Sequence, residues 1–279
     1  MEKNTIMKLP FVILIILLSF STCKTIRKPV ADPLPIHQTF TIDSKQVNET
    51  RTINVFTPAG YAAGNDSLPV LYMPDGGIKE DFPHIANTID KLIRSKSIPP
   101  IILVGIENTQ RRRDLTGPTQ VEEDKKIAPV VGESKQFRDF IREELFAEIN
   151  NRFKTNGTKA LLGESLAGLF VMETFLTQPA MFDYYIAMDP SLWWNNAQLV
   201  KSADSLLPNF TGSQKKLWFA GSGTEGIYVH TEAIAQSLKN KKVPNLQYFY
   251  SPEPKEAHGT IFRATKEKAL IWIFGTPAP

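Results

Sequence analysis

Apolar residues in this chain fall into short continuous runs separated by longer segments with helical spacing. The runs at residues 51–58 and 68–74 consist mainly of β-branched or other apolar residues and are closed by Pro, which is typical of strands. Residues 101–106 (IILVGI) are apolar throughout, as in a strand buried on both faces. This pattern predicts strands at residues 51–58, 68–74, 101–106, 159–163, 184–188, 217–220 and 246–250.

Between the strands, apolar residues recur every three or four positions, which indicates amphipathic helices. We predict helices at residues 136–153, 166–176, 229–239 and 263–274. Strands that alternate with helices imply βαβ units, so the predicted fold class is α/β, with a mostly parallel central sheet and helices on both faces. Ligands bind such sheets at the carboxyl ends of the strands, and candidate site residues are therefore sought there.

The N-terminus has the pattern of a targeting segment. Lys3 and Lys8 precede an apolar stretch at residues 11–20, which is too short to span a bilayer and is followed by Ser-Thr-Cys. Residues 20–23 resemble a lipobox, so Cys23 is the expected lipidation site and residues 1–22 the signal peptide. The alternative is an ordinary signal peptide cut nearby, with Cys23 removed or left as an idle thiol.

The rest of the chain divides into a short tether and one domain. Residues 23–38 contain three Pro and are predicted to be a tether, and residues 39–279 show no internal repeat or Gly/Ser linker. We therefore expect an exported protein, anchored to a membrane through Cys23 or else secreted, with one α/β domain.

Composition excludes several kinds of function. Lys and Arg (32) nearly balance Asp and Glu (29), and a net charge of +3 does not suggest a nucleic-acid binder. A single Cys excludes an internal disulfide framework and a Cys-based zinc site. The four His residues leave few candidates for His-dependent chemistry.

Residues 163–168 (GESLAG) lie between a predicted buried strand and a helix, as a nucleophile elbow does, with Ala167 where the last Gly of G-x-S-x-G stands. Ser165 is then the candidate nucleophile. Small residues beside it let the helix pass close to the strand, and the helix N-terminus favours an oxyanion. The alternative is a plain strand–helix turn in which Ser165 only caps the helix.

The serine needs a base and a carboxylate. His258 alone follows the last strand, as the chain order of hydrolases with this elbow requires. Glu225, in the turn after strand 217–220, is the predicted acid, with Asp189 as the main rival and Glu253 and Glu256 nearby in sequence. An exposed loop histidine is the alternative for His258.

Two backbone donors are expected to hold the oxyanion. One is the N–H of Leu166, directly after the serine, and the other comes from Gly76 or Gly77, where glycine lets the backbone approach a substrate. A Gly-Gly turn without catalytic meaning is the alternative.

Two further features lie at predicted strand ends. Residues 111–113 are three adjacent Arg, of which Arg113 is the named candidate for binding an anionic substrate group; a solvated loop is the alternative. Trp193 and Trp194 are candidates for the wall of an aromatic or sugar pocket, or for a cover over the core.

These motifs resemble the esterase group of α/β-hydrolases that includes enterochelin (siderophore) esterases, feruloyl and acetylxylan esterases, and S-formylglutathione hydrolase. The matching segments, residues 70–77, 113–116, 163–169, 189–194 and 258–259, belong to a resemblance that spans about residues 40 to 275. It implies Ser165 as nucleophile and His258 as base. Some siderophore esterases of this type work with a Ser–His pair and no strong acid, which weakens the assignment of Glu225 as the acid.

The expected function is that of a serine carboxylic-ester hydrolase that works through an acyl-enzyme without metal or organic cofactor. Its partners would be a small-molecule or glycan ester, either a siderophore lactone or a feruloyl or acetyl ester on polysaccharide, and a membrane. Two alternatives use the same fold: a surface binding lipoprotein without turnover, and an acyltransferase with the same residues.

Overall fold

An eight-stranded sheet forms the centre of the structure, a computed structural model that describes residues 32–207 and 214–275. The predicted signal segment, with Cys23, lies outside the described residues. The strands are β1 (Gln38–Ser44), β2 (Glu49–Phe56), β3 (Leu68–Pro74), β4 (Ile102–Ile106), β5 (Thr155–Glu164), β6 (Tyr184–Met188), β7 (Lys215–Ser222) and β8 (Leu246–Glu253).

The strands are ordered β1-β2-β4-β3-β5-β6-β7-β8 across the sheet. Strands β3 to β8 run parallel to one another, while β2 pairs antiparallel with both β1 and β4. Because the chain enters every parallel strand from the same edge, the loops that follow β3 to β8 meet at the opposite edge. The predicted fold class, α/β with a mostly parallel sheet, is confirmed.

Helices cover both faces of the sheet. An amphipathic stretch that was predicted as one helix is a continuous helical segment, in which a π-helical turn (Ile141–Leu145) joins α4 to α5. The helices are α1 (Phe82–Arg94), α2 (Arg111–Leu115), α3 (Glu122–Lys126), α4 (Ser134–Phe140), α5 (Phe146–Arg152), α6 (Leu166–Thr177), α7 (Trp194–Leu206), α8 (Tyr228–Lys241) and α9 (His258–Phe274).

Alternate residues of the central strands supply two apolar cores. On β5, Leu161 packs into the core that lies under α4, α5, α6 and α8, while Ala160 and Leu162 face the core under α1 and α9. All three side chains are fully buried. A strand buried on both faces needs apolar residues at every position, which is why the central strands read as continuous apolar runs.

Several elements differ from the sequence prediction. Strand β1 and helices α1, α2, α3 and α7 were not predicted, although Phe82, Ile85, Ile89 and Leu92 show the helical spacing that would have revealed α1. Helix α9 begins at His258, five residues before its predicted start, because the Thr260 side chain accepts from the Ala257 N–H and satisfies a backbone donor of the first turn.

The described part of the predicted tether lies against helices. Asp32 pairs with Arg263 of α9, and the carbonyl of Pro33 accepts a hydrogen bond from Asn87 of α1. Within residues 32–207 and 214–275, no helix is long and apolar enough to cross a membrane.

Candidate active site

Three side chains from three separate loops meet at the carboxyl edge of the sheet. Ser165 follows β5, Asp189 follows β6, and His258 follows β8 as the first residue of α9. His258 Nε2 lies 3.0 Å from Ser165 Oγ, and His258 Nδ1 lies 2.7 Å from Asp189 Oδ2. This is the arrangement of a nucleophile, a base and a carboxylate that orients the base.

The turn that presents Ser165 is strained and tightly packed. Ser165 has φ 58° and ψ −119°, a conformation that non-glycine residues rarely adopt. A Cβ at Gly163 would lie 2.4 Å from backbone atoms of Ala167, and one at Gly168 would lie 3.0 Å from the Met188 carbonyl oxygen. Glycine at these two positions therefore lets α6 pass close to β5 and β6, and Ala167 fits because Gly163 has no side chain.

Asp189 is held on both of its oxygens. Its side chain is fully buried, Oδ1 accepts the N–H of Ser222 at 2.6 Å, and Oδ2 accepts the Ser222 hydroxyl at 2.9 Å. A buried carboxylate needs such donors. With Oδ2 also facing His258 Nδ1, the arrangement places the Nδ1 proton towards Asp189 and leaves Nε2 free to accept from Ser165.

The structure corrects the sequence assignment of the acid. Glu225, the predicted acid, is exposed in the turn before α8, and Asp189, its main rival, faces His258 instead. The loop after β7 has a supporting role, since Ser222 donates to Asp189 and Thr224 Oγ1 accepts the backbone N–H of His258 at 2.9 Å. Both carboxylates follow strands that end at the same edge, so strand order alone does not separate them.

His258 is half-buried, and its environment favours the protonated ring. The hydrogen bond with Asp189 raises the pKa of the His258 imidazole above its ordinary value; burial opposes this, and the negative charge of Glu164 adds to it. A base must be neutral to accept a proton. A His258-dependent reaction should therefore lose activity as the pH falls through this raised pKa.

Glu164, which sequence analysis left without a role, also faces the histidine. Its Oε1 lies 3.6 Å from His258 Nε2, and burial raises the pKa of the Glu164 carboxyl to about 7. Its position directly before the serine in the elbow was the signal available in the sequence. Two carboxylates thus approach His258 from different sides.

The predicted oxyanion donors differ in what their N–H groups already bind. Leu166 is the first residue of α6, where N–H groups have no acceptor within the helix. The N–H of Gly76 donates to the carbonyl of Ile106 at 2.9 Å, so the assignment of Gly76 is corrected: its donor is committed to the backbone. The N–H of Gly77 donates to Glu80 Oε2 at 2.7 Å, an acceptor on a side chain instead of on the backbone.

A cavity of about 390 Å³ opens beside Ser165 and His258. Trp193 and Trp194 both line this cavity. Trp194 is nearly buried and donates its Nε1–H to the carbonyl of Gly117 at 2.8 Å. Trp193 is more exposed. The two tryptophans thus form an aromatic wall that is fixed at one end. The lining residues are Arg111, Arg112, Ile127, Ser165, Leu166, Ser191, Trp193, Trp194, Thr224, Ile227 and His258.

The three adjacent arginines point to different partners. Arg113, the predicted substrate-binding residue, is buried and donates to Asp114 and to Glu49, so this assignment is corrected. Arg111 lines the cavity but is held by both oxygens of Asp75, at 2.6 and 2.8 Å.

Arg112 is the exposed arginine of the cavity. It donates to the backbone carbonyl of Ile127 at 2.6 Å and, among residues 32–207 and 214–275, makes no ion pair. It is therefore the arginine of the three whose charge is available to a ligand.

In the described ranges, no three His, Cys, Asp or Glu side chains are grouped so that they could hold a metal ion.

Known proteins resemble this chain in sequence and in fold. Ferri-bacillibactin esterase BesA of Bacillus subtilis is 30% identical over 199 residues, which are 59% of this chain and 64% of that protein. Siderophore triacetylfusarinine C esterase of Aspergillus fumigatus is 29% identical over 199 residues, 64% of each chain. The aligned region thus covers just under two thirds of either relative.

The crystal structure of an IroE-like serine hydrolase from Shewanella oneidensis superposes with a TM-score of 0.78 at 27% identity, covering 86% of this chain and 80% of that one. The sequence profile of the Esterase family, described as "Putative esterase", matches residues 44–248, well over half of the chain. The protein therefore belongs to this esterase family and has its α/β-hydrolase fold.

Proposed function

We propose that the protein is a serine carboxylic-ester hydrolase whose nucleophile is Ser165. The observation that carries the proposal is the hydrogen-bonded series from Ser165 Oγ through His258 to Asp189, with links of 3.0 and 2.7 Å. A serine hydroxyl is a weak nucleophile until a base accepts its proton, and this series supplies the base and orients it.

The proposed reaction uses each of these contacts in turn. Ser165 Oγ attacks the ester carbonyl carbon while its proton passes to His258 Nε2, and the carbonyl oxygen becomes an oxyanion. The Leu166 N–H, at the positive end of α6, is one donor to that oxyanion. The second is the Gly77 N–H, provided that Glu80 releases it.

The tetrahedral intermediate then collapses. The bond from the carbonyl carbon to the leaving oxygen breaks, His258 gives its proton to the departing alcohol, and an acyl-enzyme remains on Ser165. Water then attacks the acyl carbon while its proton passes to His258. The bond from that carbon to Ser165 Oγ breaks, the carboxylic acid leaves, and His258 returns the proton to Oγ. If a sugar or lipid hydroxyl replaced water, the same residues would carry out acyl transfer, which analysis of the products would reveal.

We propose a siderophore ester as the substrate class, and an aromatic or acetyl ester on polysaccharide as the alternative. Relatives named as siderophore esterases support the first choice. The cavity also supports it, since the exposed guanidinium of Arg112 suits an anionic group and the wall of Trp193 and Trp194 suits an aromatic ring.

Arg112→Gln is expected to lower kcat/KM for an iron-loaded catecholate lactone by about two- to fivefold, because one exposed charge–charge contact is lost. Hydrolysis of a neutral acetyl ester should be unchanged. The measurement is steady-state kinetics of the wild type and Arg112→Gln on both substrates, with feruloyl and acetyl sugar esters in the same panel. A clear preference of the wild type for sugar esters would contradict the siderophore assignment, and equal losses on charged and neutral esters would contradict the role of Arg112.

We further propose that the chain is exported and anchored through a lipid on Cys23. Support comes from the basic and apolar pattern of residues 1–22 and from the place of the single Cys directly after it. Expression in a bacterial host should place the wild type in the membrane fraction and Cys23→Ser outside it. Recovery of both forms in the same fraction, without lipid mass on the wild type, would contradict the anchor.

A further inference from the structure

The ring nitrogen of His258 that accepts the proton from Ser165 faces a second acidic side chain. Glu164 Oε1 lies 3.6 Å from His258 Nε2, the same atom that lies 3.0 Å from Ser165 Oγ. On the opposite side of the ring, Nδ1 is 2.7 Å from Asp189. The mechanism described above uses Asp189 and leaves Glu164 without a role.

Glu164 is held in place by the elbow itself. It is the last residue of β5 and directly precedes Ser165, so the strained turn that presents the hydroxyl also sets the backbone of Glu164. Its side chain is 16% exposed, which leaves little water to screen its charge from the imidazole. The carboxylate and the serine hydroxyl thus approach His258 from one rigid segment.

The neutral and protonated forms of His258 interact differently with this carboxylate. When His258 is neutral and its Nδ1–H donates to Asp189, Nε2 presents a lone pair, from which a carboxylate gains nothing. After Nε2 takes the proton of Ser165, it presents an N–H that carries positive charge, and Glu164 attracts it. A contact that strengthens only as the proton moves lowers the barrier of the reaction.

We propose that Glu164 is a positioning residue of the ester hydrolysis, whose carboxylate stabilises protonated His258 from the Nε2 side. This inference rests on the proposed function, because it assigns Glu164 a part in the same proton transfer.

Other charges around Glu164 determine when it is ionised. Arg111 of α2 favours its carboxylate, whereas Asp75 at the end of β3 and Asp81 before α1 disfavour it. The Arg111 charge is partly offset because that guanidinium is bound to both oxygens of Asp75. With burial the largest influence, the pKa of Glu164 rises to about 7, so its charge responds to the state of His258 near neutrality.

Glu164→Gln should therefore change the pH dependence in a definite direction. An ionised Glu164 raises the pKa of His258, as Asp189 also does, and Arg111 lowers it. Removing the charge lowers the pKa of His258, so the acid limb of the pH–rate profile moves to lower pH. The maximal rate falls by about tenfold, because protonated His258 loses a stabilising partner in the transition state.

The test is the rate of fluorophosphonate labelling of Ser165 in the full-length protein, measured across the acid and neutral range. Glu164→Gln is compared with wild type and with Glu225→Gln, a matched removal of one carboxylate from an exposed turn. We expect a lower maximal rate and a more acidic limb in Glu164→Gln, and a wild-type profile in Glu225→Gln. NMR titration of the His258 imidazole should show the lower pKa directly.

An unchanged acid limb together with an unchanged pKa of His258 in Glu164→Gln would overturn the proposal. Should that variant fail to fold, Glu164→Asp decides: it draws the carboxylate back by one methylene and should shift the limb and the pKa of His258 in the same direction by less, and wild-type values would count against the proposal. Absence of labelling in the wild type would instead contradict the proposed function, while the titration would still decide whether Glu164 acts on His258.

Discussion

Ser165→Ala is expected to lower kcat for ester hydrolysis by on the order of 10³–10⁶, and His258→Ala by a similar factor. Without Oγ no acyl-enzyme forms, and without the imidazole Ser165 loses the base that lies 3.0 Å from its Oγ. The two losses should not add in the double variant, because both residues act in the same step. Steady-state assays on an activated acyl ester give the measurement.

Fluorophosphonate labelling with peptide mapping provides an independent readout of the same pair. A single adduct on Ser165 that is lost in His258→Ala is the expected result. Circular dichroism and thermal unfolding of each variant serve as controls for folding. Near-full activity in either variant, with the fold intact, would exclude the proposed mechanism. Absence of any adduct on the wild type, under conditions that label a control esterase, would favour a binding protein on the same fold.

Asp189→Asn is expected to lower kcat by roughly 10²–10⁴, because an amide cannot hold the Nδ1 proton and the orientation of His258 as a carboxylate does. The amide would also place an NH₂ group among donors, since Ser222 presents both its N–H and its hydroxyl to this side chain. Because Asn and Asp have nearly the same size, a loss of activity would reflect the missing carboxylate and not a change in packing.

Glu225→Gln is the matched control, because it makes the same chemical change at the carboxylate that was predicted from the sequence to be the acid. Its kcat should equal that of the wild type, since Glu225 is exposed and Asp189 occupies the position beside Nδ1. The reverse outcome, with Glu225→Gln inactive and Asp189→Asn active, would mean that the His258 loop rearranges when substrate binds.

Much of the fold could be predicted because strands that are buried on both faces of a sheet consist of apolar residues at every position. Residues 101–106 and 184–188 are apolar throughout, and the structure has strands at Ile102–Ile106 and Tyr184–Met188. Strand β1 was missed because it lies at the sheet edge, where exposed Thr39 and Thr41 alternate with partly buried Phe40 and Ile42 and no continuous apolar run forms.

The arginines show what local sequence could not decide. Residues 111–113 carry identical side chains, and successive positions on a helix point about 100° apart. In α2 this sends Arg111 to Asp75, Arg112 to the Ile127 carbonyl and Arg113 to Glu49 and Asp114. Asp114 is a neighbour within α2, but the other three partners come from other segments of the chain, so their positions exist only in the folded protein.

The sequence by itself determined the α/β architecture, the turn that carries Ser165 and the place of His258 after the last strand, because each depends on short-range pattern and chain order. Tertiary structure decided which carboxylate meets His258, which arginine faces the cavity and that Glu164 lies 3.6 Å from Nε2. These depend on distances of a few ångströms between residues up to 94 positions apart, and hydrogen bonds and charge interactions change steeply over such distances.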